Sequence, residues 1–106
     1  MILRIDSTER EKVIVEIVDP QSGKSDKLVQ EQHLGSQVLL PMIVKILKKN
    51  KLDFSDLTAI EVNPGPGSFT GTRVGVAIAN ALSYALNLFV NGKKQEEPIY
   101  EKSKFD

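Results

Sequence analysis

At 106 residues the chain has room for one two-layer core and not for two. Fourteen basic residues offset fourteen acidic ones, so no global charge marks it for nucleic acid or an anionic membrane. Cysteine is absent, which excludes disulfides and thiolate chemistry and fits a reducing cytosol.

An apolar fraction of 41% and a charged fraction of 26% are those of an ordinary globular protein. Arg4 and Asp6 interrupt the first apolar stretch, which is not a signal-peptide pattern. The longest apolar run, residues 74–86, is too short to span a bilayer and contains Asn80. These features predict a soluble, cytoplasmic protein.

In chain order, residues 1–6 and 12–19 are β-rich runs, the second partly alternating, and residues 25–33 can return as a third, more exposed strand. Residues 36–50 predict a helix, with Ser36 as N-cap and Lys45, Lys48 and Lys49 suited to the negative end of its dipole. Pro41 would remove a backbone bond there, so the helix is expected to begin nearer residue 40. Residues 57–63 follow as a short buried strand, 70–86 as a second helix, and 87–91 as a final strand. From Gly92 the chain is polar, and 92–106 is expected to be a flexible tail behind a domain of residues 1–91. The resulting order, β-β-β-α-β-α-β, is that of a mixed sheet of about five strands with helices packed on it.

Residues 63–75, "NPGPGSFTGTRVG", concentrate four glycines and two prolines between a strand and a helix. A glycine-rich turn at a helix N-terminus can hold a phosphate. Here, however, no lysine accompanies it, the spacing matches neither common phosphate-binding pattern, and Pro64 and Pro66 lack amide hydrogens. The competing reading is a stiff turn built from Gly65, Pro66, Gly67, Ser68 and Phe69, with Ser68 or Thr70 capping the helix.

Along the second helix Gly71, Gly75, Ala79 and Ser83 recur every four residues beside an apolar stripe of Val74, Ile78, Ala81, Leu82 and Ala85. Two helical glycines cost about 1 kcal/mol each against alanine, which suits a very close neighbour. That neighbour is either the protein's own sheet or first helix, or a helix of another subunit. Arg73, near the start of the helix, calls for an acidic partner, either Glu61 in the same chain or a group on another subunit.

Candidates for catalysis are thin. Asp6 is either a carboxylate at the end of the first strand or a turn residue bonding its own backbone. Glu61 is its only companion for a carboxylate site, and His33 is the sole histidine, too few for a metal site and distant in sequence from Ser68 and Thr70. No metal, cofactor or intrinsic activity is expected.

The segment "NPGPGSFTGTRVGVAIANALSYALNL" resembles the signature of the TsaB (YeaZ) family, "MILRIDST" resembles that family's first strand and turn, and "QHLGSQVLLPMIVKIL" is similar to its first helix. The resemblance runs from residue 1 to about 91. It implies one lobe of a ribonuclease-H-like, actin-like ATPase architecture. It also implies a non-catalytic partner of TsaD, the subunit that attaches threonylcarbamoyl to a tRNA adenosine beside the anticodon. A TsaE-like ATPase would be a further member of such a complex, a homodimer is implied for the isolated chain, and direct nucleic-acid or membrane contact is not. The implied pairing surface is helical: Val38, Leu39, Met42 and Ile43 on the first helix, with Thr70, Gly71, Arg73, Val74, Gly75, Ile78 and Ala79 on the second. Two departures stand out: the family carries a second lobe, and Phe89 replaces a usual proline. A small phosphate-binding domain, or a lobe that only self-associates, stays open as an alternative.

Overall fold

A computed structural model describes residues 1–31 and 35–99. Strands β1 (Ile2–Asp6), β2 (Lys12–Val18) and β3 (Ser25–Glu31) form an antiparallel meander. Helix α1 (Gly35–Lys49) then crosses over, so that β4 (Ala59–Val62) pairs in parallel with β1, and helix α2 (Phe69–Leu86) follows. The sheet has four strands in the order β3-β2-β1-β4.

Strand alternation explains the layering. Leu3, Ile5, Val13, Val15, Ile17, Ile60 and Val62 turn to one face and are buried. Both helices cover that face, α1 over β2 and β3, and α2 over β1 and β4. Leu39, Met42, Ile43, Ile46 and Leu47 from α1, with Val76 and Ala79 from α2, complete a single core.

Three expectations need correction. The fifth strand shrinks to a bridge between Val90 and Ile60, because Asn87, Asn91 and Gly92 all adopt left-handed backbone and turn the chain away. Helix α1 begins at Gly35 and runs through Pro41, which lies on its exposed side and gives up one backbone bond without ending the helix. The tail does not leave the domain at once: residues 92–99 lie back against α2 and the end of β4. There Asn80 brackets Glu96, donating from Nδ2 to its carbonyl and accepting from its amide at Oδ1, both at 2.8 Å. Residues 100–106, His33 and the Ser36 side chain are outside what is described.

Candidate functional site

The loop after β4 is docked onto the turn that ends β1. Asn63 donates its amide to the Ile5 carbonyl at 2.9 Å, and Ser68 donates its amide to the Thr8 carbonyl at 2.8 Å. Asn63 Oδ1 accepts the Gly65 amide at 3.1 Å, a local Asx bond that closes the turn. Gly65 has φ +107, a conformation that favours glycine, and an added Cβ would strike the Ile99 backbone. Gly67 lies against Thr8, where a Cβ would meet backbone at 2.7 Å. Pro66 is exposed, and the Phe69 side chain is outside the described residues. Ser68 occupies the N-cap position, but its side chain makes no capping bond, so the loop is secured through its backbone.

The close neighbour of the small-residue stripe is the protein itself. Ser7, 1% exposed, packs under α2 and donates its hydroxyl to the Gly71 carbonyl at 2.6 Å. A Cβ on Gly71 would collide with the Ser7 carbonyl, and one on Gly75 with the Ser7 hydroxyl. Ala79 and Ser83 continue the stripe, both buried.

This packing redistributes the expected pairing surface. Leu39, Met42, Ile43, Gly71, Gly75 and Ala79 are interior and offer nothing to a partner. Val38, Val74 and Ile78 are half-buried against the core, while Thr70 and Arg73 are exposed. What α2 turns outward is Thr70, Arg73, Ala77, Ala81, Tyr84 and Ala85, uncharged beyond Arg73, with Tyr84 90% exposed. A hollow of about 270 Å³ lies at its start, lined by Thr70, Arg73, Val74 and Ala77. On α1 the outward apolar residues are Leu40, 45% exposed, and Pro41, with Val44 beside them.

The carboxylates are engaged within the chain. Asp6 Oδ1 accepts the Thr8 amide at 3.0 Å and the Thr8 hydroxyl at 2.7 Å, and its Oδ2 accepts from Asn63 at 3.2 Å. Burial pushes the Asp6 carboxyl up, but the Thr8 and Asn63 bonds, with Lys12 nearby, outweigh it and hold the carboxyl below the ordinary aspartate value. Glu61 takes Arg4, not Arg73, as its cation, with Arg4 Nε donating to Oε1 at 2.6 Å. Among the described residues no cluster of three or more histidine, cysteine or acidic side chains could hold a metal.

Sequence reasoning missed Asn91. Its carboxamide acts as a surrogate strand residue, accepting the Val62 amide and donating to the Val62 carbonyl, each at 2.9 Å. No spacing rule marks such a residue, because its partner is 29 positions away.

A meander, a parallel fourth strand and a glycine-gated helix packed on β1 define one lobe of the actin-like ATPase architecture. The chain belongs to the family described as TsaD, tRNA N6-adenosine threonylcarbamoyltransferase, whose model matches residues 10–92. Similar relatives include TsaB proteins of tRNA threonylcarbamoyladenosine biosynthesis. That of Buchnera aphidicola from Baizongia pistaciae is 48% identical over 47% of this chain and 23% of its own. That of Haemophilus influenzae is 40% identical over 59% of this chain and 26% of its own. The solved YeaZ from Pseudomonas aeruginosa superposes with a TM-score of 0.77 at 29% identity, covering 84% of this chain and 42% of that one. The chain thus spans less than half the length of the proteins it matches.

Proposed function

We propose that the chain is a non-catalytic scaffold of TsaB type, pairing with a TsaD-like subunit in the threonylcarbamoyl modification of tRNA adenosine. A TsaE-like ATPase would join the same cytoplasmic complex, and in the absence of TsaD two copies would pair in its place. The observation that carries the reading is the outward face of α2, where Ala77, Ala81, Tyr84 and Ala85 present small and aromatic side chains without a charge. Small residues let a second helix approach closely, and an exposed tyrosine is a typical interface anchor. Leu40, Pro41 and Val44 on α1 supply a second apolar strip for the same partner. Contiguous exposed apolar strips of this kind suit a protein partner.

Phosphate binding is less well supported. Pro64 and Pro66 have no amide hydrogens, and the amides of Gly65 and Ser68 are already given to Asn63 and Thr8. The experiment is capture of a TsaD-like subunit by the wild type and by Ala81→Glu and Tyr84→Asp. Both positions are exposed, so the variants should fold and lose capture. Retained capture by both, or micromolar ATP binding by the wild-type chain alone, would overturn the reading.

A further inference from the structure

Asn91 is the only one of the chain's five asparagines that precedes a glycine. The pair forms the tip of a tight hairpin turn, with left-handed backbone at both positions, φ 52 at Asn91 and φ 76 at Gly92. Val90 and Lys93 close the turn by exchanging amide–carbonyl bonds at 2.8 and 2.9 Å. Asparagine is a thermally labile residue, and a following glycine sets no Cβ against its side chain. Gly92 is exposed, and among the described residues no group accepts its amide hydrogen. What restrains the pair is the use the fold makes of the Asn91 carboxamide. Its Nδ2 donates to the Val62 carbonyl at 2.9 Å and to the Glu96 carboxylate at 2.7 Å, while Oδ1 accepts the Val62 amide at 2.9 Å. Glu96 is secured in turn by Lys93 at 3.1 Å and by the two 2.8 Å bonds from Asn80.

We propose that Asn91 is a deamidation site gated by residues 92–99, and that its conversion releases this segment irreversibly. The Gly92 backbone nitrogen attacks Asn91 Cγ. A C–N bond forms, the carboxamide nitrogen leaves as ammonia with the Gly92 amide proton, and a succinimide ring results. Water then opens the ring, leaving aspartate or isoaspartate at position 91. Ring closure needs the carboxamide free of Val62 and Glu96, so the rate follows local opening of the segment. The product cannot close again. A carboxylate has no donor for the Val62 carbonyl, and it would face the Glu96 carboxylate as a like charge. Isoaspartate also lengthens the main chain inside the turn. The glycine-proline loop is affected with it, because the Pro64 carbonyl accepts the Ile99 amide at the far end of the same segment.

The test incubates the full chain in mildly alkaline buffer and follows each asparagine by peptide mass spectrometry, with the chain in guanidinium as the open reference. Wild type should convert at Asn91 but not at Asn50 or Asn87, and more slowly than in guanidinium. Glu96→Ala removes an acceptor and should speed conversion of the folded chain roughly ten-fold, with the rate in guanidinium unchanged. Asn80→Ala loosens the segment from α2 and makes the same test if Glu96→Ala misfolds. Converted protein, separated by charge, should exchange the amides of residues 93–99 faster than unconverted protein. Asn91→Asp should reproduce that loss of protection, and adding Glu96→Gln should recover part of it, as loss of the amide alone would not. Three results would overturn the proposal: a folded chain that stays unconverted while the guanidinium sample converts, a rate that ignores both Glu96→Ala and Asn80→Ala, or converted protein that keeps its protection.

Discussion

The Ser7 hydroxyl donates to the Gly71 carbonyl at 2.6 Å across the seam between β1 and α2, joining residues 64 positions apart. The same hydroxyl fills the space a Gly75 side chain would need. Gly75→Ala is expected to destabilise the domain by ~1–3 kcal/mol through overpacking, despite alanine's better helix propensity. Ser7→Ala in the same chain should recover part of that loss, since the nearest atom would then be the residue 7 Cβ at 3.3 Å. Denaturant unfolding of the two singles and the double measures the coupling, and strict additivity would contradict the packing.

Removal of the Asn91 carboxamide should unpair both backbone groups of Val62, a residue 4% exposed. Asn91→Ala is expected to cost ~1–3 kcal/mol, the usual penalty for stranded buried polar groups. Amide hydrogen exchange at Val62 should accelerate by more than the global loss of stability explains.

Gly65→Ala meets two obstacles at once, a backbone at φ +107 and the Ile99 main chain where its Cβ would sit. The expected result is a loss of ~1–3 kcal/mol and detachment of residues near Ile99 from the Pro64 carbonyl to which the Ile99 amide now bonds. Limited proteolysis should cut the variant within residues 92–99 faster than the wild type.

Asp6 predicts the direction of one acid-sensitive contribution. Its folded carboxyl is held below the ordinary 3.8, so the unfolded chain takes up the proton first. The stability that Asp6 contributes is therefore complete above about pH 4 and lost as pH falls through its lower folded value. Asp6→Asn keeps an acceptor for Thr8 and should show a shallower fall in stability below pH 4 than the wild type.

Much of the architecture was legible because it depends on local periodicity. Alternation in residues 12–18, the apolar spacing of α1 and the glycine-proline turn before α2 each reflect a rule acting over a few residues. The close approach along Gly71 and Gly75 was also legible, since such glycines are costly unless something packs tightly there. Its partner was not, because Ser7 arrives from the other end of the chain.

By itself, then, the amino-acid sequence determined the element order, the turn at 63–68 and the small-residue side of α2, all consequences of backbone preference and side-chain spacing. Only the tertiary structure decided which surfaces remain available. Burial of Leu39, Met42, Ile43 and Ala79 depends on which helix face meets the sheet. Alignment of Lys27, Glu16, Arg4 and Glu61 depends on strand register, and the loss of a fifth strand on left-handed turns at Asn87 and Asn91. These are long-range packing outcomes: strand pairing and helix docking bring together residues whose separation along the chain carries no periodic signal.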